Sequence, residues 1–240
     1  MQRRAVVLLS GGIDSTTTLA IANGQGFAVY ALSFDYGQRH AVELECARAA
    51  AEHLGVREHR ILRMDLSSLV HSALMDRSER IPKGGRRQAH REVPPTYVPA
   101  RNTLFLAYAL AWAETLDTGD IFIGANAVDY SGYPDCRPEY IAAFECMANL
   151  ATKMTASGSR RVVIHTPLMG LSKGEIIRLG AAHGVDFSRT FSCYDPDARG
   201  RPCSGCDSCR IRLSGFNEAN MHDPLEYAPA ARRSLPTGAT

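Results

Sequence analysis

Two groups of residues in this sequence carry spacing suited to chemistry. The first is Ser10-Gly11-Gly12-Ile13-Asp14-Ser15-Thr16, which follows a short β-rich run and opens a helical pattern. Two glycines let the backbone approach an anion. The helix start then offers N–H groups and the positive end of its dipole, and Ser10, Ser15 and Thr16 add hydroxyl donors. A triphosphate fits that description. The loop is not a Walker A motif, because no Gly-Lys-Ser/Thr follows at the required spacing, and it is not GxGxxG either. Asp14 would repel phosphates unless a Mg²⁺ bridged the two. The plainer alternative is a glycine turn with an aspartate helix cap.

The second group is a cysteine cluster. Of seven cysteines, Cys193, Cys203, Cys206 and Cys209 follow the spacing C-x9-C-x2-C-x2-C. Four thiolates make a closed tetrahedral zinc site of the structural kind, and Gly200, Pro202 and Gly205 permit the tight turns between ligands. An iron–sulfur cluster is the rival, since C-x2-C-x2-C also begins the ferredoxin run, but the fourth cysteine of that run is missing downstream. Cys46 and Cys146 read as core residues on apolar helix faces. Cys136, in a polar loop, is a candidate nucleophile.

Further polar residues gather at the ends of strand-like runs. Gln38 and Arg39 follow the second strand and could reach a nucleotide or substrate. Arg101 and Asn102 open the most apolar helix. A cation there faces the positive dipole end, which a phosphate or carboxylate ligand would explain. A later loop carries Asp129, Tyr130, Ser131, Tyr133, Asp135 and Arg137 around a turn. Carboxylates suit the N–H edge of a guanine-like base, and tyrosine rings could stack on it. Lys173 stands at another helix start, where it could hold an acidic leaving group.

The elements that must position these groups alternate. Strands are expected over residues 4–9, 28–34, 59–65, 121–124 and 162–168. Helices are expected over 14–23, 40–54, 101–118, 138–154, 172–183 and 210–220. That alternation implies an α/β fold with a parallel, doubly wound sheet covered on both faces, in which the glycine loop lies at the carboxyl edge of the strands. Residues 77–98, rich in Pro, Gly and Arg, break the rhythm and read as a flexible loop or lid. The division expected is an α/β domain over 1–190, a small metal-bound segment over 191–222 and a tail over 223–240. With 27 Lys and Arg against 25 Asp and Glu, the net charge is +2, which argues against wrapping nucleic acid. Apolar content of 45% with 22% charged residues excludes wholesale disorder. No apolar run approaches the roughly 20 residues that span a bilayer. The apolar stretch over 5–9 is too short for a signal peptide, so a cytoplasmic protein without membrane contact is expected.

The segment SGGIDST resembles the SGGxDS pyrophosphate loop of ATP pyrophosphatases of the adenine-nucleotide α-hydrolase type. Taken in order with FDYGQRH, the P-x-RN segment, SGYPDCR, TPLMGLSK and the cysteine tetrad, it is similar to the 7-cyano-7-deazaguanine synthase family of queuosine precursor synthesis, over residues 4–220. One departure is Ala127, where that family carries an acidic residue two positions before Asp129. The resemblance implies conversion of 7-carboxy-7-deazaguanine and ammonia to the nitrile, with two rounds of adenylation that each release AMP and pyrophosphate. It implies ATP with Mg²⁺ bound along Leu9, Ser10, Gly11, Gly12, Ile13, Asp14, Ser15, Thr16, Thr17, Thr18 and Leu19. Asp14, Ser15, Arg101 and Lys173 are then the catalytic candidates. Gln38, Arg39, Asn102, Asp129, Tyr130, Ser131, Tyr133, Asp135 and Arg137 are the substrate-binding candidates. One Zn²⁺ per chain on Cys193, Cys203, Cys206 and Cys209 and a homodimer also follow from the resemblance. The chain leaves no room for a glutaminase domain, so free ammonia or a separate donor is expected. Rival readings are a tRNA-thiolating pyrophosphatase with the same loop, a relative acting on another deazaguanine, and a non-catalytic nucleotide sensor.

Overall fold

The structure, a computed structural model, describes residues 2–39, 42–76, 78–83, 93–126 and 133–229. Five strands, β1 (Arg4–Leu8), β2 (Ala28–Asp35), β3 (Glu58–Arg63), β4 (Asp120–Phe122) and β5 (Val163–His165), form one sheet in the order β3-β2-β1-β4-β5. Every pairing is parallel; β1 lies between β2, with Leu8 opposite Leu32, and β4, with Val7 opposite Phe122. The crossovers carry helices α1 (Ile13–Gly24), α2 (Val42–His53), α3 (Arg101–Thr115), α4 (Pro138–Ala151) and α5 (Lys153–Ala156), and α6 (Lys173–Ala182) and α7 (Asp207–Glu218) follow β5.

β1 is apolar on both faces because both are covered. Ala5, Val7 and Leu9 pack with Leu19 of α1, Ala47 of α2 and Phe122, whereas Val6 and Leu8 pack with Leu106 and Leu110 of α3 and Phe144 of α4. That alternation follows the two-residue period of a strand. α1 is buried along most of its length because its far side meets α6 and α7, through Ile13, Ala20, Ile21, Ile176, Ile177 and Phe216. The doubly wound parallel sheet expected from the sequence is the one observed. The order reverses between β1 and β4, and the crevice outside their carboxyl ends is where such sheets bind ligands.

Some boundaries differ from expectation. The last strand was expected over 162–168 and ends at His165, because Thr166 to Gly170 turns and Pro167 has no N–H for a ladder. The helix expected over 138–154 breaks at Thr152, whose φ of −109° and ψ of 150° are extended. The last helix begins at Asp207, three residues early, directly on Cys206. Cys146 is not a core residue: α4 buries Ile141, Phe144 and Ala148, and Cys146 lies on the exposed face. Cys46 is half-buried and packs against the core. Within the stretch read as a loop, Lys83 forms an antiparallel bridge with Cys206 and pairs its Nζ with Asp195 at 2.6 Å, so this point is tied to the cysteine segment. Among the described residues no helix is long and apolar enough to cross a membrane.

Candidate active site

The glycine loop forms the first wall of a cavity at the carboxyl edge. Leu9 donates its N–H to Leu32 O at 2.8 Å, and the chain turns at Gly11 with φ +82°. A Cβ at Gly11 would stand 2.3 Å from Glu43 O and 2.7 Å from Ala47 N. Glycine is therefore what lets α2 close against the loop. Ser15 Oγ donates to Gly12 O at 3.2 Å, accepts from Ser10 N at 3.1 Å and shares a 3.0 Å hydrogen bond with Ser10 Oγ. Phe191 N donates to Gly11 O at 2.9 Å from the opposite side. The loop is thus fixed by its own bonds, while the first N–H groups of α1 have no carbonyl one turn back and remain for an anion. Gly124, just beyond β4, presses on the same turn; a Cβ there would lie 3.0 Å from the Asp14 carbonyl carbon.

Asp14, in the first turn of α1, meets Lys173, the first residue of α6. Lys173 Nζ donates to Asp14 Oδ1 at 2.6 Å and Oδ2 at 2.8 Å, with side chains 7% and 18% exposed. The Ser172–Glu175 capping box fixes the start of α6. Gly215 of α7 leaves room for the Lys173 stem, since a Cβ there would sit 2.3 Å from Lys173 Cγ. A cation and a carboxylate are therefore held at the meeting point of two helix starts. The aspartate that simple repulsion made puzzling has its positive partner within the chain.

The second wall comes from β2, α2 and α3. Tyr36, Gln38, Glu43, Arg101, Asn102 and Phe105 line it, with Tyr133 and Cys136 alongside. Arg101 opens α3 after Ala100, whose φ of +55° is left-handed, and its Nη1 lies 3.4 Å from Tyr36 Oη. Asn102 and Asp135 hold each other. The Asp135 carboxylate accepts from Asn102 N at 3.0 Å, capping α3 from a distance, and Asn102 Nδ2 donates to Asp135 O at 3.1 Å. Gln38 accepts from Tyr36 N at 2.8 Å and donates to Phe34 O at 3.1 Å, so its amide stiffens the turn after β2. Tyr133 stacks on Tyr97 with centroids 6.0 Å apart.

The cysteine segment supplies the third wall through Ser192, Tyr194 and Ser208. The four sulfur atoms of Cys193, Cys203, Cys206 and Cys209 lie within 4.8 Å of one another and could hold a metal ion. Backbone N–H groups already point at the sulfurs: Asp195 N and Cys203 N to Cys193 at 3.3 and 3.2 Å, and Cys206 N to Cys203 at 3.3 Å. Such bonds favour thiolates, so the donor set fits a soft cation. The cleft between the three walls has a volume of about 220 Å³ and opens to solvent.

The candidates from the sequence divide accordingly. Leu9, Ser10, Asp14, Ser15, Gln38, Arg101, Asn102 and Tyr133 line the cavity, and Gly11 and Gly12 shape the turn. Ile13, Thr16, Thr17, Thr18 and Leu19 are buried in the packing of α1 and do not line it. Lys173 reaches it through Asp14. Arg39 donates to Glu79 O and Arg137 is exposed at the start of α4; neither lines the cavity. Asp129, Tyr130, Ser131 and the departing Ala127 lie outside the described residues. Burial pushes the Cys136 thiol up to about 11, which leaves it a poor nucleophile. Sequence reasoning missed Glu43. Burial pushes its carboxyl up to about 7 against the lowering pull of Arg101. The available signal was its place on the Ala47 and Ala50 face of α2, an acid on a buried stripe.

A glycine turn at the switch point of a doubly wound sheet, with a buried lysine at its back and an aromatic wall opposite, defines an α/β protein with its cavity at the carboxyl edge of the strands. Comparison with known proteins narrows this. The family model described as queuosine biosynthesis protein QueC matches residues 4–220, and this chain belongs to that family. Curated relatives include the 7-cyano-7-deazaguanine synthase of Syntrophobacter fumaroxidans, 59% identical over 227 residues, covering 94% of this chain and 97% of the relative. That of Citrifermentans bemidjiense is 59% identical, covering 95% of this chain and 99% of the relative. Among solved structures, an NMN synthetase from Francisella tularensis is 16% identical, covers 95% of this chain and 90% of that one, and has a TM-score of 0.46.

Proposed function

We propose that this protein converts 7-carboxy-7-deazaguanine and ammonia to 7-cyano-7-deazaguanine, consuming ATP to AMP and pyrophosphate in two successive adenylations. The observation that carries the reading is the shared cavity. One wall offers an anion loop with Asp14 and Lys173, and the other offers Arg101 among aromatic rings. A carboxylate is a poor electrophile, and its oxygen leaves only once it has been activated. The loop from Ser10 to Ser15 would take the pyrophosphate portion of ATP on α1 N–H groups and hydroxyls. The Lys173 ammonium would stabilise the charge that grows on the leaving pyrophosphate. Arg101 would orient the substrate carboxylate, and Tyr36, Phe105 and Tyr133 would flank the flat heterocycle.

Mg²⁺ accompanying ATP would find an oxygen ligand in Asp14 and would screen phosphate charge. Zn²⁺ on Cys193, Cys203, Cys206 and Cys209 would fix the segment that presents Ser192, Tyr194 and Ser208. Residues 1–190 then act as the ATP unit and 191–222 as the metal-bound wall; the tail read from 223 onward starts later, because Asp223 pairs with Arg212 and Ala228 N bonds to Pro202 O. The same reading makes the protein a cytoplasmic homodimer that takes the free base and ammonia and not tRNA. Mass spectrometry of a reaction with 7-carboxy-7-deazaguanine, ATP, Mg²⁺ and ammonium tests it. The expected products are the nitrile, pyrophosphate and about two AMP per nitrile, since each carboxylate oxygen leaves on its own activated phosphate. Oxygen-18 in the carboxylate should appear in AMP. ADP as main product, or unlabelled AMP, would overturn the reading.

A further inference from the structure

Converting an acid to a nitrile strips every proton from the incoming nitrogen, so the cavity needs a proton acceptor beside that nitrogen. Two carboxylates line it among the described residues, Asp14 and Glu43. Asp14 is held by Lys173 through both oxygens. Asp135 is committed to the α3 cap and does not line the cavity. No histidine lines the cavity among the described residues. Cys136 is a thiol whose pKa burial lifts to about 11, and burial likewise raises the Tyr36 phenol. Glu43 differs. It sits in the first turn of α2, half-buried, with its carboxylate receiving no hydrogen bond from any described residue.

We propose that Glu43 is a catalytic residue of the reaction proposed above, the base that accepts protons from the substrate nitrogen in both the amide-forming and the nitrile-forming stages. In the first stage the ammonia lone pair forms the C–N bond, the C–O bond to AMP breaks with its electrons leaving on AMP, and one N–H proton passes to Glu43. In the second, the amide oxygen bonds to the α-phosphorus of a new ATP and pyrophosphate leaves. The two N–H protons are then lost in turn as the remaining C–O bond breaks to AMP and the nitrogen electrons complete the triple bond. Glu43 returns each proton to solvent before the next.

The surroundings suit that task. Arg101 on α3 faces Glu43, with the Tyr36 and Tyr133 phenols around the same guanidinium and the Cys46 thiol one turn along α2. Asp14, with Lys173, and Tyr194 border the same cavity. Burial outweighs Arg101 and holds the carboxyl near 7, where a base is both deprotonated and reasonably strong at working pH. The inference rests on the proposed reaction.

The test uses the full-length metal-loaded protein, with Glu43→Gln as an isosteric variant that cannot accept a proton. Starting from the acid with ammonium, or from the amide, Glu43→Gln should form nitrile ~10²–10⁴-fold more slowly. It should lose the rise in kcat that wild type shows around pH 7. Exchange of labelled pyrophosphate into ATP, driven by the acid without ammonium, should persist, because adenylation transfers no nitrogen proton. Formate should partly restore nitrile formation in Glu43→Ala. A Glu43→Gln protein that makes nitrile at the wild-type rate overturns the inference, as does loss of pyrophosphate exchange in step with nitrile formation. Wild-type protein that makes no nitrile would instead overturn the reaction itself.

Discussion

Asp223→Ala should cost this protein about 3–5 kcal/mol of stability, because Asp223 is the buried counter-charge of Arg212. Arg212 of α7 is 2% exposed and Asp223 is 5% exposed. A guanidinium has five N–H donors, and all are used. Nε and Nη2 donate to Asp223 at 2.8 and 2.9 Å, Nη1 to Thr190 O and Oγ1 at 3.1 and 2.8 Å, and Nη2 to Phe187 O at 3.0 Å. Removing the carboxylate leaves a buried cation without its counter-charge, which costs about 3–5 kcal/mol. For a chain of this size that lowers the melting temperature by roughly 6–20 °C. Calorimetry at neutral pH reads it directly. The double variant Arg212→Leu with Asp223→Leu should be less destabilised than Asp223→Ala, because it buries no lone charge. Burial alone would raise the Asp223 carboxyl, but Arg212 and the Tyr227 hydroxyl outweigh it and hold it below 3.8. The stabilisation is therefore full above that value and is lost as pH falls through the depressed one. A shift under ~1 kcal/mol for Asp223→Ala, or a double variant as poor as the sum of the singles, would refute the argument.

Gly11→Ala should abolish turnover and lower stability, because φ is +82° and a Cβ would stand 2.3 Å from Glu43 O; wild-type kinetics in that variant would refute the packing of α2 on the loop. Asp14→Asn should lose turnover and also lower the melting temperature, since it leaves the Lys173 ammonium, 7% exposed, without its counter-charge; steady-state assay beside thermal unfolding reads both, and wild-type turnover with a lowered melting temperature would refute a catalytic role. Elemental analysis of fresh protein should give one zinc per chain, and Cys203→Ala should lower zinc content and soluble yield together. Glu43→Gln should be more stable than wild type above pH 7 by about 2–3 kcal/mol and equal to it below 4.5, since a carboxyl raised from 4.5 to about 7 destabilises the fold only where it must ionise. Urea midpoints at pH 4 and 8 check this.

What the sequence displayed of this molecule is what local spacing encodes. The alternation of strand and helix, the turn at Gly11 and Gly12, and the four cysteines depend on neighbours a few residues apart, and the structure has them where expected. What was hidden depends on crossovers between distant segments. Asn102 and Asp135 each looked like a substrate ligand, because nothing near either residue says that they bond to each other across 33 positions. Lys173 stood out at a helix start as a residue for an acidic leaving group, but only the docking of α6 on α1 makes it the partner of Asp14, 159 positions away. Thr16, Thr17 and Thr18 extended the anion motif by adjacency, yet the helical turn carries them into the interior, Thr17 against Gly180 of α6. Glu43 was legible in principle, as an acid on the alanine stripe of α2.

The same docking explains why the cysteine segment belongs to the site. Phe191 N bonds to Gly11 O, and two residues later Cys193 enters the tetrad. Ser192 and Tyr194, on either side of that cysteine, line the cavity, as does Ser208, which precedes Cys209. On α7, Arg212 ties Thr190 and Phe187 to Asp223, so the approach to Phe191 is clamped from behind. The thiols of Cys193 and Cys209 therefore stand one residue from the cavity wall, and Cys193 is two residues from the Phe191 N–H that bonds the glycine loop. A metal holding all four sulfurs would fix the backbone of that wall without touching a reacting atom. Its loss should then raise the KM for ATP before it lowers kcat, because the loop carbonyl at Gly11 would lose its donor while the Asp14–Lys173 pair and Glu43 stay in place. A chelated, still-folded protein with an unchanged KM for ATP and a lowered kcat would show that the metal acts on the chemistry and not through the loop.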